Sequence, residues 1–161
     1  MGANIENLTL TGKTVINGTG NALNNSLLGN AAANKLSGLA GNDLLNGGLG
    51  KDKLTGGAGI DVFDFNSVLE IGKKTKGDLI TDFSNKQDKI NLFDIDANTS
   101  NGVGNDAFKY IGEKAFTGQA GEIHFIKGIL SGDTNGDKIA DFDLSITVVG
   151  VTKMIAQDFV L

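Results

Sequence analysis

Three aspartates, Asp43, Asp52 and Asp61, stand at intervals of nine residues, and Asn25 and Asn34 extend the series towards the N-terminus. Glycines precede each acid at fixed distances: Gly38 and Gly41 before Asp43, Gly47, Gly48 and Gly50 before Asp52, and Gly56, Gly57 and Gly59 before Asp61. Glycine admits positive φ and close backbone approach, so such a turn can aim its carbonyls at one point. The acid adds a charged oxygen there. Carbonyls and carboxylates are hard oxygen ligands and suit Ca²⁺. One further step of nine from Asp61 lands on Glu70, where the glycines have stopped.

A second oxygen-rich stretch places Asp133, Asn135, Asp137 and Asp141 at positions one, three, five and nine of a short loop. That spacing fits a calcium loop, with Ile139 able to give a carbonyl. Leu144 stands where a bidentate Glu would close such a loop, and Lys138 stands where Gly is usual. A plain polar hairpin is the alternative reading. Other chemistries find little footing. Cys is absent, which excludes thiolate metal sites and a disulfide framework. His124 is the single histidine and alternates with Ile123 and Phe125, as a residue on a strand face does. Neither HExxH nor a phosphate loop is present. The chain is therefore read as a non-catalytic module, with any catalysis belonging to sequence upstream of Met1.

The elements that position the acids follow from the same period. Residues 20–64 divide without a gap into GNALNNSLL, GNAAANKLS, GLAGNDLLN, GGLGKDKLT and GGAGIDVFD. Position one is always Gly, and position eight is always large and apolar: Leu27, Leu36, Leu45, Leu54 and Phe63. Six residues form a turn and three a short strand whose central side chain points inward. Two such units make one turn of a flattened right-handed solenoid, so each turn stacks on that of the unit after next. Asp43 is then expected opposite Asp61, and Asp52 between Asn34 and Glu70. Without metal, stacked carboxylates repel and a thin leucine ladder buries little. Disorder without calcium, and folding at about 10⁻⁴–10⁻³ M calcium, are expected.

The two units GGLGKDKLT and GGAGIDVFD resemble the repeat-in-toxin (RTX) nonapeptide GGxGxDxUx, a calcium-binding pattern. GLAGNDLLN departs at Leu39, and the first two units have Asn for Asp, which implies weak sites or none there. The runs GGAGIDVFDFNS, GDLITDFSNKQDKINL and NDAFKYIGEKAFTGQAGEIHF resemble the C-terminal domain of serralysin-type metalloproteases. That resemblance implies a non-catalytic region that binds several calcium ions and serves type I secretion. It carries calcium ligation to Asp43, Asp52 and Asp61, and more loosely to Glu70, Asp78 and Asp88. The terminal Asp158-Phe159-Val160-Leu161 resembles the secretion signal of the same protease and lipase group, and a last edge strand is the alternative. The 133–141 segment resembles the calcium loops of integrin-type β-propellers.

From Asp61 the pattern changes to strand-like runs at 62–65, 78–83, 88–93, 107–111, 122–130 and 141–151, with short helices allowed in 66–72 or 94–107. The expected fold class is all-β. Degenerate lead-in repeats cover 1–19, a parallel β-roll covers 20–64, and a capping antiparallel β-sandwich covers 65–161.

The 161-residue chain has 24 glycines and a net charge of −5, which argues against nucleic acid and fits cation binding. No apolar run is long enough to span a membrane, and the first residues lack a signal peptide, so the start is expected to lie within a longer secreted, extracellular bacterial protein. A monomer is expected, with calcium and the type I secretion apparatus as partners. Mannuronan epimerases carry similar β-roll modules that contact acidic polysaccharide. Lys35, Lys51 and Lys53 on the roll, with Lys73, Lys74 and Lys76 beyond it, would serve that role here. The terminal segment of a large RTX adhesin is a third reading.

Overall fold

The computed structural model describes residues 1–149 and 153–161. Its strands are β1 (Asn7–Thr9), β2 (Gly18–Thr19), β3 (Ser26–Leu28), β4 (Lys35–Ala40), β5 (Leu44–Asn46), β6 (Lys53–Ala58), β7 (Val62–Asp64), β8 (Leu79–Ser84), β9 (Lys89–Asn91), β10 (Lys109–Tyr110), β11 (Glu122–Ile126), β12 (Ile129–Asp133), β13 (Phe142–Val149) and β14 (Phe159–Val160). An α-helical turn, α1 (Val68–Ile71), and 3-10 turns at Lys74–Lys76 and Ala156–Asp158 interrupt them.

Strands alternate between two sheets, as the nonad period requires. One sheet runs β1-β3-β5-β7-β9-β14 and the other β2-β4-β6-β8-β13-β12-β11-β10. Every pairing in the first sheet is parallel. In the second sheet β2, β4, β6, β8 and β13 are parallel to one another. The register brings position eight of one coil onto position eight of the next: Leu27 on Leu45 on Phe63 in one sheet, Leu36 on Leu54 in the other. These side chains are at most 1% exposed, so the interior of the roll is two facing apolar ladders. Strand alternation turns the central residue inward, and the flanking residues point to the outer face, where most are exposed or half-buried and Asn46 is covered.

The second half differs from the separate antiparallel sandwich expected over 65–161. The chain leaves the roll at Phe65 and forms α1 and a 3-10 turn. It then returns to lay β8 parallel on β6, and β9 parallel on β7. Strands β13 and β14 add another layer to each sheet, and Ile80, Ile90, Ile146 and Phe159 continue the inner ladders. Among the described residues only β11, β12 and β13 form an antiparallel meander, with β10 parallel at its edge. The physical reason is that an exposed parallel edge must be paired, and pairing asks only for a backbone strand with one inward apolar residue. Glycine spacing is a requirement of the tight turns, not of the ladder. The 122–130 run splits at Lys127 and Gly128, both at positive φ, which form the two-residue hairpin turn between β11 and β12. The short helix expected in 66–72 forms at Val68–Ile71. Of the 141–151 run, residues 150 and 151 lie outside the described residues.

A candidate calcium site in the turn columns

The repeat acids form two columns, one along each edge of the roll. In the first, the Asn25 N–H donates to Asp43 Oδ1 (2.7 Å), the Asp43 N–H to Asp61 Oδ1 (2.9 Å) and the Asp61 N–H to Asp88 Oδ1 (3.0 Å). In the second, the Asn34 N–H donates to Asp52 Oδ1 (2.7 Å) and the Asp52 N–H to Asp78 Oδ1 (2.7 Å). Each carboxylate thus spends one oxygen on the backbone of the preceding coil. The other oxygens of Asp43, Asp52, Asp61 and Asp78 are buried and meet no hydrogen-bond donor. All four residues are at most 2% exposed. A buried carboxylate oxygen without a donor is costly, and native structures satisfy nearly all such atoms. Four in ordered columns call for a cation.

Carbonyls complete the surroundings. A Cβ built on Gly38 would run into the Asp43 carboxylate and the Gly56 carbonyl. One on Gly59 would meet the Gly41 carbonyl, and one on Gly57 the Leu39 carbonyl. The same holds one nonad along, where Gly47 lies against the Asp52 carboxylate and Gly48 and Gly50 over the Asn30 and Ala32 backbone. Carbonyls of one coil therefore face the next coil beside the acids. Two carboxylates with several carbonyls are the hard, flexible oxygen set that Ca²⁺ takes. Among the described residues no three His, Cys, Asp or Glu side chains converge to hold a metal, so such a site would lean on carbonyls as much as on acids.

Electrostatics point the same way. Burial pushes the Asp52 carboxyl up to about 6 and the Asp78 carboxyl up to about 8. Burial also lifts Asp61 to about 6, and Asp88, Asp43 and Asp82 add to the rise. Asp43 and Asp88 are raised by burial as well. The charged forms are disfavoured in the metal-free turns, and a divalent cation reverses that preference.

Glu70 does not take the place expected for it opposite Asp52. It lies on α1, where Oε2 accepts from the Asn66 N–H (2.9 Å) and the Asn46 amide (3.4 Å). The column is continued by Asp78 instead, because the excursion through α1 and the 3-10 turn delays the return of the chain. Asp88 joins the other column, but both its oxygens are occupied, Oδ2 by the Ser84 N–H (2.7 Å). Asp82 is a residue that spacing did not single out. Its carboxylate accepts from the Gly56 N–H (3.0 Å) and the Gly57 N–H (2.9 Å) and so caps the last glycine turn. The contact of the Thr55 and Thr81 hydroxyls (2.7 Å) sets Asp82 opposite Gly56, an alignment visible only once β8 is laid on β6.

The 133–141 loop is closed by its own backbone. Asp133 is fully buried and accepts from the N–H groups of Asn135, Gly136 and Lys138. Asp141 accepts from the Thr134 N–H and hydroxyl, and Asp137 from the Ile139 N–H. At the C-terminus, Phe159 and Val160 form the edge strand β14. Asp158 is buried and accepts from the Asn85 amide and the Lys86 and Ile155 N–H groups. His124 stacks on Phe116 at 4.2 Å, with Nδ1 2.8 Å from the Lys114 carbonyl.

With this geometry in hand, comparison with known proteins is direct. A family model of four RTX calcium-binding nonapeptide repeats matches residues 19–54 and, one nonad later, 28–63. No curated protein matches the chain. Among solved structures, the chain is similar to the AlgE6R3 subunit of the Azotobacter vinelandii mannuronan C5-epimerase, with 25% identity and a TM-score of 0.65 over 99% of this chain and 84% of that one. It shares the fold of the AlgE6R2 subunit of that enzyme, with 24% identity and a TM-score of 0.55 over 93% and 92% of the two chains. What the family model recognises in residues 19–63 is a calcium-binding repeat rather than a catalytic motif, and the buried oxygens lie within and beside that segment. Residues 19–63 match the RTX calcium-binding nonapeptide repeat, and the chain around them folds as a β-roll like that of the similar AlgE6R3 subunit.

Proposed function

We propose that this module is a calcium-driven folding switch of a secreted bacterial protein, exported unfolded through a type I (ABC transporter) apparatus and folded by calcium outside the cell. The observation that carries the switch is the set of four buried carboxylate oxygens without donors. In calcium-poor surroundings they oppose the folded roll, and in calcium-rich surroundings they hold it together. The resemblance of Gly20–Leu161 to the C-terminal domain of serralysin-type proteases supports the export role, and so does that of Asp158–Leu161 to a secretion signal. No helix among the described residues is long and apolar enough to cross a membrane.

The switch is tested by adding Ca²⁺ to EDTA-treated protein and following far-UV circular dichroism, with Mg²⁺ as control. A coil-like spectrum that turns to β at about 10⁻⁴–10⁻³ M Ca²⁺, and not with Mg²⁺, is expected. A spectrum already folded and unmoved by calcium refutes the switch. Export is tested by deleting Asp158–Leu161, and secretion that survives the deletion counts against the signal.

One observation favours a second role, binding of an acidic polysaccharide. Lys35 and Lys53 are direct cross-strand neighbours and are exposed on the outer face of β4 and β6. They border an open groove with Asn17, Thr19, Ser37 and Thr55. A row of cations beside hydroxyls suits a chain of uronate sugars, and the similar subunits come from a mannuronan C5-epimerase. Retention on immobilised alginate that is lost in the Lys35→Ala, Lys53→Ala double variant would establish this role. Equal retention of the variant would remove it.

A further inference from the structure

Resting on the calcium reading above, we infer that the chain takes two calcium ions, one between the turns of Asp43 and Asp61 and one between those of Asp52 and Asp78, with the asparagine end of each column and the Asp88 end of the first closed by the chain's own hydrogen bonds. The unsatisfied oxygens come in two pairs, one on each edge of the roll, and each pair belongs to consecutive members of one column. Repetition alone would place an ion between every pair of stacked turns. The side chains at the column ends remove that need.

At the N-terminal end, carboxamides do what a cation does further along. Asn25 Oδ1 accepts from the Asn21 N–H (2.7 Å), while its amide donates to Asn21 Oδ1 (3.1 Å). Asn21 in turn donates to the Gly2 and Ile5 carbonyls (2.7 Å each). Asn34 Oδ1 accepts from the Asn30 N–H (2.8 Å), and its amide donates to the Ile16 carbonyl (2.7 Å) and to Asn30 Oδ1 (3.1 Å). Asn30 donates to the Thr14 carbonyl (3.0 Å). A neutral amide brings both an acceptor and two donors, so oxygens facing one another are bridged by N–H groups instead of by a metal. Neither Asn25 nor Asn34 leaves a buried polar atom without a partner.

The opposite end of the first column is closed in a different way. Both Asp88 oxygens hold backbone N–H groups, and Asp82 covers the Gly56 and Gly57 N–H groups. The 133–141 loop likewise turns its acids onto its own N–H groups and leaves no buried oxygen unpaired. The second ion departs from the nonad repeat in one respect. Asp52 comes from a regular nonad, whereas Asp78 comes from beyond the α1 excursion, so no nonad count reaches it.

The inference predicts what each column end does when its chemistry is exchanged. In Asn34→Asp the amide donors are lost and a second carboxylate faces Asp52, above Asn30 and Ala32 backbone that already lies under Gly48 and Gly50. That variant should take three ions. Asp78→Asn should take one.

The test is native mass spectrometry of the full chain in calcium, with isothermal calorimetry as a second count and EDTA-treated protein as the baseline. Two ions for the wild-type chain, three for Asn34→Asp and one for Asp78→Asn are expected. Three or more ions on the wild-type chain, or two on Asp78→Asn, overturn the inference while leaving calcium binding intact. No ion on the wild-type chain overturns the calcium reading itself. Should Asn34→Asp fail to fold, the wild-type and Asp78→Asn counts still decide the matter.

Discussion

Replacing Asp61 by Asn should change the sign of its effect with calcium. In the metal-free roll, Asp61 Oδ1 accepts from the Asp43 N–H, and the other oxygen is buried without a donor. Burial, reinforced by Asp88, Asp43 and Asp82, lifts this carboxyl from 3.8 to about 6. At pH 7 that rise corresponds to a penalty of about 3 kcal/mol on the charged group. Asn keeps the acceptor for the Asp43 N–H, removes the charge and supplies N–H donors, as Asn25 and Asn34 do in their own turns. Without calcium, Asp61→Asn should therefore stabilise the roll by about 1–3 kcal/mol. With saturating calcium, the variant lacks one charged ligand. A charge-assisted contact is worth about 1.5–3 kcal/mol, so the calcium midpoint should rise by about 10- to 100-fold. The assay is circular dichroism at pH 7: in EDTA the metal-free roll is folded by titration with the osmolyte TMAO, and in calcium the roll is melted with urea. Should the substitution move stability in the same direction in both titrations, the claim that the unpaired oxygen is the calcium ligand fails.

Three further outcomes follow from the same structure. In EDTA, stability should fall as pH rises from about 4 to about 8: the unfolded carboxyls ionise near 3.8, while Asp52 and Asp61 hold their protons to about 6 and Asp78 to about 8, so the folded state binds more protons across that window; the TMAO needed to fold the metal-free roll, measured against pH, gives the slope, and a fall in that requirement with pH would contradict it. Leu39 stands at φ 85°, where the other calcium turns have Gly48 and Gly57, so Leu39→Gly should stabilise the calcium-bound roll by about 1 kcal/mol in thermal or urea melts. Asp137→Ala should leave the calcium midpoint within about twofold of wild type, because its carboxylate is exposed and serves the loop's own Ile139 N–H, whereas Asp52→Ala should shift it by about tenfold or more.

The nonad period is a local property, and it was legible without coordinates. Glycine at positions one, two and four permits the turn, the acid at six supplies the charged oxygen, and the apolar residue at eight fixes the inward direction. Those three requirements already state that Leu45 stacks on Phe63 and that Asp43 faces Asp61, because two nonads make a coil whatever else the chain does. The tertiary structure decided how the period ends. The excursion through α1 and the 3-10 turn breaks the count of nine, and only the pairing of β8 on β6 reveals that Asp78, not Glu70, follows Asp52. The same pairing turns the expected sandwich into further layers of the roll. It also makes Asp82 a cap on a turn in which it has no sequence neighbour. Residue type likewise said that Asn25 and Asn34 carry no charge, but not that their amides reach back to Asn21 and Asn30 and, with those partners, to carbonyls of the preceding coil. Spacing encodes which residues repeat. Which oxygen finds a donor, and which is left for a cation, depends on neighbours 18 to 27 positions away, which only the folded chain brings together.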